Sequence, residues 1–508
     1  MQTSHQAPEI VEAYSAAEES FNRRRRNAGL LLAPVMFVTI WALPLALPVA
    51  AHRLAAVMGL VMVLWLTEAL PLAVTALLVP SLAVMVGVAS AQEALAPFAD
   101  PIIFLFIGGF ILAQAMFVHG VDRRIAYTAL SLRVVGGSAL RVLVMYGAVC
   151  IGLSMWISNT ATTAMMFPIG LSIVAHLART SNASPLQVRR FAVGLMLVTA
   201  FGASIGGMGT PVGTPPNLIG IGMLEKMAGV HVSFFQWMAI GVPIVVLMAA
   251  IMLAQFYFTT VRDLPLARGG TALVAQELAR LGALKPSERN VLMAFGVTVL
   301  LWIAPGVLAI VGADRTDLAR AYAAVMPESV AAIVGALLLF VLPVDWRERR
   351  FTLTWDEAAR IDWGVVLLYG GGLALGELAF ATGLAQAMGD AITAWLPSRT
   401  TLALTMIFTA TAIVLSETTS NTASANMIVP ISIAVSQAAG VRPLEPVLGA
   451  TLGASMGFMM PISTPPNAIV YSSGYISIGQ MIRHGVLLDL VGFVVIVTIV
   501  MTLAPLLF

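Results

Sequence analysis

The sequence contains few charged residues and only one cysteine. Of its 508 residues, 10% are charged and 59% are hydrophobic, and the mean hydropathy is +0.93. Soluble domains carry about 25% charged residues, so this composition excludes an ordinary soluble protein. The single cysteine, Cys150, lies in an apolar run, which excludes a disulfide within the chain and predicts a small, packed side chain.

The chain also lacks the signatures of metalloenzymes and of nucleic-acid-binding proteins. Its six histidines are scattered, and no pair has the spacing of metal ligands. It contains no His-Glu-x-x-His motif and no paired aspartates that would suit catalysis inside a membrane. The net charge of +2 offers no basic surface for nucleic acid. We therefore expect neither an enzyme nor a nucleic-acid partner.

The amino terminus lacks a cleavable signal peptide. The opening residues are polar, and four arginines at 23–26 precede the first apolar run. A cleavable signal would have a shorter apolar core followed by small residues at the cleavage site. We interpret this run as an uncleaved first helix whose amino end lies in the cytoplasm.

Long apolar stretches recur from there to the carboxyl terminus. Their length, near 20 residues, is what a helix needs to cross a bilayer, so we predict an all-α polytopic membrane protein with about eleven transmembrane helices and two re-entrant hairpins. We place spans from 29, two within 54–88, and others at 102–118, from 191 with a break at 210–217, at 235–258, 290–311, 328–342 and 363–382, with a tenth broken at 464–467 and an eleventh ending at the carboxyl terminus.

The spans divide into two halves of similar length. The predicted organisation is a cytoplasmic segment at 1–28, a first half at 29–260 with a hairpin at 142–178, a cytoplasmic connecting loop at 261–289, and a second half at 290–508 with a hairpin at 402–437. This layout puts 21 of the 27 Lys and Arg residues on the cytoplasmic side, as the positive-inside rule expects. The first hairpin then enters from the cytoplasm and the second from outside, so the halves are inverted and the carboxyl terminus lies outside.

One set of polar motifs occurs in both halves, in the same order. The motifs are Ser-Asn-Thr-Ala at 158–161 and 420–423, Gly-Ala-Ser-x-Gly at 202–206 and 453–457, and Thr-Pro-Pro-Asn at 214–217 and 464–467. Pro168 follows Asn159 by nine residues, and Pro430 follows Asn421 by the same nine. A glycine motif by itself indicates only close helix packing. The repetition of the whole set predicts one site at the interface of two repeats.

Each motif predicts an interrupted helix. Ser-Asn-Thr favours helix caps, and each triplet lies between apolar arms that we estimate at roughly 15 residues, too short to cross comfortably, so we place it at a hairpin tip. Thr214 and Thr464 are predicted to cap helices that restart at the prolines, and Gly213 and Ser463 to end the preceding helices.

The ends of interrupted helices suit ions of opposite sign. Free carbonyl groups suit a small cation, and free N–H groups suit an anion. No Lys or Arg occurs between Val142 and Ala178 or between Thr400 and Val441, so an anion bound there would depend on dipoles, hydroxyls, amides and bound cations. This pattern favours cation coupling.

Four carboxylic acids stand in or beside the apolar runs, where ionisable groups are costly and usually functional. They are Glu68, Glu377, Glu417 and Asp489. Glu417 precedes Ser420 by three residues, so it would either stabilise a nearby cation or hold the hairpin through hydrogen bonds; both interpretations stay open. For Glu68 and Glu377 a structural hydrogen bond is the favoured interpretation.

The doubled motifs resemble those of the divalent anion/sodium symporter family, whose members transport dicarboxylates, citrate or sulfate. The resemblance covers nearly the whole chain. It implies a homodimer in which a transport domain moves against a scaffold domain by an elevator mechanism. It also implies a first sodium site at Ser154, Ser158, Asn159 and Gly213. A second sodium site would consist of Ser416, Ser420, Asn421 and Ser463. The substrate carboxylates would contact Asn159, Thr160, Thr214, Asn421, Thr422 and Thr464. Ser463 stands where the family resemblance leads us to expect a smaller residue, alanine.

These expectations together predict a sodium-coupled importer of C4-dicarboxylates such as succinate, malate or fumarate in the bacterial inner membrane or an equivalent plasma membrane, with two or more sodium ions as cosubstrates. Three alternatives stay open at this point. The chain could be a sodium-independent dicarboxylate exchanger or a sodium-coupled citrate or sulfate transporter. It could also be a cation/proton antiporter, although that function predicts a buried carboxylate at the helix crossing, where this sequence is neutral.

Overall fold

The computed structural model describes residues 16–135, 138–181, 183–262, 270–312 and 316–508. The predicted cytoplasmic segment at 1–28 and the predicted connecting loop at 261–289 therefore lie partly outside the described residues. The described chain is almost entirely helical, which confirms the predicted all-α class of polytopic membrane protein.

The first half consists of eleven α-helices among its described residues. They are α1 Ala16–Ala42, α2 Val49–Thr67, α3 Leu72–Met85, α4 Ala91–Leu95, α5 Pro101–His119, α6 Val121–Leu130, α7 Ala139–Ser154, α8 Asn159–Thr180, α9 Pro185–Gly207, α10 Pro215–Ala228 and α11 Phe234–Phe256. A short 3₁₀ helix, Ala96–Ala99, leads into α5, and a π-helical turn, Tyr257–Val261, extends α11.

The second half begins, after α12, with a long apolar helix and repeats much of this order. Its helices are α12 Gly270–Leu281, α13 Pro286–Ile310, α14 Asp317–Val325, α15 Glu328–Val341, α16 Trp355–Ala358, α17 Trp363–Ala381, α18 Leu384–Trp395, α19 Thr401–Thr418, α20 Asn421–Ala438, α21 Leu444–Gly453, α22 Pro465–Tyr471 and α23 Ile478–Leu507. Two short antiparallel strands, β1 Pro343–Asp345 and β2 Arg350–Phe351, form a hairpin between α15 and α16.

Among the described residues, nine helices are long and apolar enough to cross a membrane, or ten if the bent pair α14–α15 is a single span. The predicted eleven included α1, which contains the arginine cluster, and α3, which has only 14 residues. The nine include the hairpin arms α8, with 22 residues, and α19, with 18 residues. For these two arms the expected length of about 15 residues was therefore wrong, whereas α7, with 16 residues, is close to it. The re-entrant course of the hairpins stays a prediction.

Local capping signals explain where several helices begin. Helix α9 was predicted to start near Phe191 but begins at Pro185, because Ser184 and Gln187 form a capping box immediately before the proline. Helices α11 and α23 begin with capping boxes of the same kind, Ser233 with Gln236 and Ser477 with Gln480. The matching caps identify α11 and α23 as equivalent helices of the two halves.

The helix breaks fall where the proline motifs predict them, but they are longer than predicted. Thr214 and Thr464 are the N-caps of α10 and α22, as expected. The preceding helices end earlier than predicted, α9 at Gly207 and α21 at Gly453. Gly213 and Ser463 therefore lie in the connecting turns and do not end a helix, because small residues and prolines interrupt the backbone ladder well before them.

Packing between the halves follows a two-fold pattern. Helix α10 packs against α20 and α21 of the second half, and the equivalent α22 packs against α8 and α9 of the first. Helix α5 packs against α15, and α17 packs against α3. The exchange of partners brings the interrupted helices of both repeats into the largest buried apolar core of the chain. This arrangement supports the predicted internal repeat, whereas the inverted orientation of the halves in a membrane stays a prediction.

Candidate functional site

The tip of the first hairpin is a short turn between α7 and α8. Ser154, the last residue of α7, donates a 2.8 Å hydrogen bond to Oδ1 of Asn159, the first residue of α8. The hydroxyl of Ser158 caps α8 by accepting a bond from the backbone N–H of Ala161. Ser154 is fully buried, while Asn159 and Thr160 are half-buried. The serine therefore fixes the direction of the amide at the tip.

The tip of the second hairpin repeats this arrangement between α19 and α20. The hydroxyl of Ser416 lies 2.7 Å from Oδ1 of Asn421 and 2.9 Å from the carbonyl oxygen of Ala454, and its one proton is shared between these two acceptors. Ser420 is the N-cap of α20, and Thr422 follows in its first turn with 9% of its surface exposed. The bond from the last serine of one arm to the first asparagine of the next thus has the same form in the two repeats.

Each connecting turn is held by an asparagine of the Thr-Pro-Pro-Asn motif. Nδ2 of Asn217 donates to the carbonyls of Gly207 at 2.9 Å and Thr210 at 2.7 Å. Nδ2 of Asn467 donates to the carbonyls of Gly457 at 2.9 Å and Met460 at 3.0 Å. Both asparagines are fully buried. The motif identified in the sequence includes both asparagines, but the sequence alone assigns no role to them. Their position, three residues after the capping threonine, is the feature that marks them as turn-bridging residues.

The same bonds correct the alignment of the glycine motifs. The Gly-Ala-Ser-x-Gly pattern pairs Gly206 with Gly457, whereas the asparagine bonds pair Gly207 with Gly457. A Cβ atom on Gly207 would lie 2.5 Å from Oδ1 of Asn159, and one on Gly457 would lie 3.2 Å from Oδ1 of Asn421. Each glycine therefore leaves space beside the tip amide of its own repeat.

The first tip and its turn together form a cradle of oxygen atoms. A Cβ atom on Gly213 would lie 2.5 Å from the carbonyl oxygen of Gly207 and 3.0 Å from that of Met155. Thr210 donates its hydroxyl proton to the same Met155 carbonyl. Oxygen ligands of this kind suit a hard cation. The residues present thus fit a sodium ion, and those that would hold it are Asn159 together with the backbone of Met155, Gly207 and Gly213.

The second turn differs because it contains two additional polar side chains. Glu417 Oε1 accepts bonds from the backbone N–H groups of Phe458 at 2.6 Å and Met459 at 2.7 Å. Ser463 donates its hydroxyl proton to Oε2 of Glu417 at 2.7 Å, and the Glu417 carbonyl oxygen lies 3.1 Å from the same hydroxyl. Glu417 therefore holds the hairpin to the turn through hydrogen bonds, one of the two interpretations left open by the sequence.

The Ser463 hydroxyl consequently points toward Glu417 and not into the space beside Gly457. A Cβ atom on Gly457 would lie 3.2 Å from Thr464 Cγ2 and 3.3 Å from Ser416 Oγ, so Ser416, Asn421 and Thr464 converge there. Ser463 can still offer its backbone carbonyl to a cation, as the predicted site requires.

The N-terminal ends of α8 and α20 supply the complementary charge. Helices α8, α10, α20 and α22 all begin at the tip and turn residues, but α10 and α22 start with two prolines, which have no N–H group. The first-turn N–H groups without a partner in the helix therefore belong to α8 and α20. Because α10 packs on α20 and α22 packs on α8, the two sets of helix ends belong to one interface between the repeats. That interface can bind cations through its oxygens and an anion through its helix starts.

One other sequence candidate, Glu68, lies in an ion pair. It binds Arg25 at 2.8 Å, and Arg25 also donates to the carbonyl of Thr418 next to the second tip. Glu377 is half-buried in α17. A further pair that no sequence motif indicated joins Lys226 to Asp100 at 3.0 Å, and Asp100 also accepts a bond from Tyr369.

Comparison with known proteins identifies close relatives along almost the whole chain. The family model described as "Sodium:sulfate symporter transmembrane region" matches residues 24–508. The chain is 34% identical over 483 residues to the sodium-dependent dicarboxylate transporter SdcS of Staphylococcus aureus strain USA300, covering 94% of this chain and 91% of the relative. The SdcS of strain bovine RF122 / ET3-1 matches to the same extent.

Solved structures with a similar fold have much lower sequence identity. The YdaH transporter of Alcanivorax borkumensis superposes with a TM-score of 0.54 at 12% identity, covering 89% of this chain and 98% of that one. Neisseria gonorrhoeae MtrF superposes with a TM-score of 0.54 at 14% identity, covering 91% of this chain and 96% of the other. These two likenesses concern the fold alone.

Proposed function

Because this chain belongs to the sodium:sulfate symporter family, also called the divalent anion/sodium symporters, we propose that it is a secondary transporter that imports C4-dicarboxylates together with sodium. Members of the family are transporters and not enzymes. The relatives that carry the assignment are sodium-dependent dicarboxylate transporters that align with 94% of the chain.

The observation that carries the proposal is the duplicated tip with its oriented amide. Ser154 holds Asn159 and Ser416 holds Asn421 in matching hydrogen bonds, although the two tips lie far apart in the sequence. Two equivalent half-sites at one repeat interface suit a ligand with two equivalent ends. A C4-dicarboxylate such as succinate has this form, with one carboxylate for each half-site.

Sodium coupling follows from the energetics of binding a dianion at this interface. Moving a carboxylate into a low-dielectric environment costs several kcal/mol unless hydrogen bonds or opposite charge compensate. The two hairpin segments, between Val142 and Ala178 and between Thr400 and Val441, contain no Lys or Arg. Bound sodium ions supply the missing positive charge, so the affinities for sodium and for the dianion increase together.

Individual residues have defined roles in this proposal. The first sodium ion binds at Ser154, Ser158, Asn159 and Gly213, and the second at Ser416, Ser420, Asn421 and Ser463. The substrate carboxylates contact Asn159, Thr160, Thr214, Asn421, Thr422 and Thr464. The oxygen cradle beside Gly213 and the convergence of Ser416, Asn421 and Thr464 beside Gly457 support these assignments.

The proposal extends to the whole assembly and its place in the cell. The protein forms a homodimer in the bacterial inner membrane, with its amino terminus in the cytoplasm and its carboxyl terminus outside. Helices α7–α11 and α19–α23 form a transport domain that moves like an elevator against the remaining scaffold helices. The excess of positive charge on the predicted cytoplasmic side and the exchanged packing of α10 and α22 support this organisation.

Uptake of labelled succinate into proteoliposomes tests the function directly. We expect an inward sodium gradient to drive accumulation and its removal to abolish accumulation. Uptake that ignores sodium but requires internal dicarboxylate would identify an exchanger instead. Accumulation of citrate or sulfate with no succinate uptake would change the substrate, and sodium/proton exchange without any anion uptake would identify an antiporter.

Replacing either tip amide should abolish transport without unfolding the protein. We expect Asn159→Ala and Asn421→Ala each to reduce sodium-driven succinate uptake at least 100-fold, because one amide contributes to both a cation site and the substrate site. Expression and thermal unfolding in detergent should match the wild type. Gln386→Ala, which removes an exposed amide paired only with Asp390, is the control and should transport normally. Wild-type uptake by both tip variants would show that the amides are not ligands.

A further inference from the structure

Asp489 is a buried acid with no donor to satisfy it. It lies in α23, with 5% of its surface exposed, and both carboxyl oxygens lack a hydrogen-bond donor among the described residues. An unpaired carboxylate in such a position is unstable, because burial removes water and leaves the charge uncompensated. An ionised Asp489 therefore requires a partner other than the described side-chain and backbone donors.

The group beside Asp489 is another acid. Asp489 lies one helical turn after Gly485, and a Cβ atom on Gly485 would lie against the backbone of Phe458. Glu417, which is also 5% exposed, accepts a bond from the N–H of that same Phe458. The Glu417 oxygens already accept bonds from two backbone N–H groups and from Ser463. Two ionised carboxylates in contact repel each other unless a cation lies between them, and the alternative is a shared proton.

The first repeat shows what this position looks like without acids. The capping boxes align Ser477 with Ser233, so Asp489 corresponds to Val245, which is buried. The hairpin serines align Ser416 with Ser154, so Glu417 corresponds to Met155.

Equivalent glycines support this alignment. A Cβ atom on Gly241 would lie against the carbonyl of Met208, and one on Gly485 would lie against the backbone of Phe458. Both members of the acidic pair are thus present in one repeat and absent from the other, although the surrounding backbone is equivalent.

The helices packed against α23 supply no positive charge, although Arg25 of α1, which pairs with Glu68, donates to the carbonyl of Thr418 next to Glu417. Helix α23 packs against α11, α19 and α21. Helix α11 contains no charged residue, α19 contains only Glu417, and α21 contains only Glu445, in its first turn. On α23 itself the nearest basic residues are Arg483, which is exposed, and His484, whose ring nitrogen contacts Gln255.

From these observations we propose that Asp489 and Glu417 form a further sodium site, beside the second predicted sodium site and separate from it. One sodium ion bridges the two carboxyl groups, with both Asp489 oxygens and Glu417 Oε2 as ligands. Oxygen-only coordination and the absence of a competing cation on the neighbouring helices suit a hard monovalent ion. The site belongs to the second repeat alone, so the transporter binds one ion more than its two-fold symmetry supplies.

The test counts sodium ions in full-length protein. The ratio of ²²Na⁺ to labelled succinate taken up by proteoliposomes should fall by one ion in Asp489→Asn and in Asp489→Val. The valine variant copies Val245, which the equivalent position accepts, so it should fold. Glu417→Gln keeps an acceptor for the two N–H groups and should give the same loss. Glu445→Gln removes a buried acid from neighbouring α21 and should leave the ratio unchanged.

Equilibrium binding separates this inference from the proposed function on which it rests. In detergent and without succinate, wild-type protein should bind one more ²²Na⁺ per chain than Asp489→Asn, whatever the transported substrate. An unchanged count in Asp489→Asn would overturn the inference while leaving sodium-driven uptake intact. If Asp489→Asn binds as many sodium ions as the wild type but its uptake no longer depends on pH, the acidic pair binds a proton and not sodium. That result would also overturn the inference.

Discussion

The residues of the candidate site are oriented by neighbours only a few positions away. Ser154 and Asn159 are five residues apart, as are Ser416 and Asn421, and each pair closes the turn between two helix arms. Two glycines then keep space free beside the amide oxygens, which no residue with a side chain could do. Gly207 and Gly457 lie against the tip amides, where any larger residue would occupy the space beside the amide oxygen.

Substituting two glycines of the same helix separates packing from the site. We expect Gly207→Ala to reduce succinate uptake at least tenfold, because the new Cβ would lie 2.5 Å from Asn159 Oδ1. Gly202→Ala is the matched control in α9, since the nearest atom to its new Cβ, Cys150 Cβ, is at 3.4 Å. Uptake kinetics at several sodium concentrations provide the measurement. Equal activity of the two variants would show that the space beside Asn159 is not used.

At the scale of secondary-structure elements, the interrupted helices are the unit that builds the site. Each break before α10 and α22 frees carbonyls of the helix that ends there, and an asparagine of the next helix donates to two carbonyls of the turn. The bridge is needed because buried carbonyls without donors destabilise a membrane protein as they do a soluble one. The equivalent bonds of Asn217 and Asn467 predict equivalent contributions.

Removing either bridge should destabilise its turn by a similar amount. Asn217→Asp and Asn467→Asp preserve the shape but replace a donor of two bonds with an acceptor facing two carbonyls. We expect each to lower the free energy of unfolding by roughly 2–4 kcal/mol, from about 1–3 kcal/mol for each unsatisfied buried group. Thermal unfolding in detergent checks this, with Gln386→Glu at an exposed position as the control. No loss of stability in either variant would contradict the bridging role.

At the scale of the whole molecule, the two repeats pack through exchanged partners and the proposed domains meet at a few polar contacts. The pair Lys226–Asp100 joins α10, on the proposed transport side, to α5, on the proposed scaffold side, and Tyr369 of α17 also donates to Asp100. Asp100 is 4% exposed, whereas the Lys226 side chain is 42% exposed. Such a contact stabilises one relative position of the domains and must break if they move.

Breaking that pair should change the transport rate and stability together. We expect Lys226→Met to lower the free energy of unfolding by about 1–2 kcal/mol, less than a fully buried pair because the lysine is partly hydrated. The maximal uptake rate should change at least twofold, since the relative stability of the two domain positions changes. Adding Asp100→Asn should recover most of the stability. Arg280→Met, which removes an exposed helix pair with Glu277, should alter neither quantity.

The sequence alone determined the class of protein and predicted the location of the site. Apolar length sets membrane spans because the bilayer thickness is fixed, and motifs such as Ser-Asn-Thr and Thr-Pro-Pro predict helix breaks because their backbone preferences are local. Repetition of these motifs in the two halves then indicated a shared site. The starts of α10 and α22 were predicted to the residue for this reason.

Only the tertiary structure decided which distant groups meet. Four features depend on how separate helices pack. They are the ends of α9 and α21, the alignment of Gly207 with Gly457, the bonds between Glu417 and the 458–459 backbone, and the approach of Asp489 to Glu417. The sequence marked Asp489 as a costly acid but gave no partner for it. Local preferences do not specify long-range contacts, because those are set by the packing of the complete core.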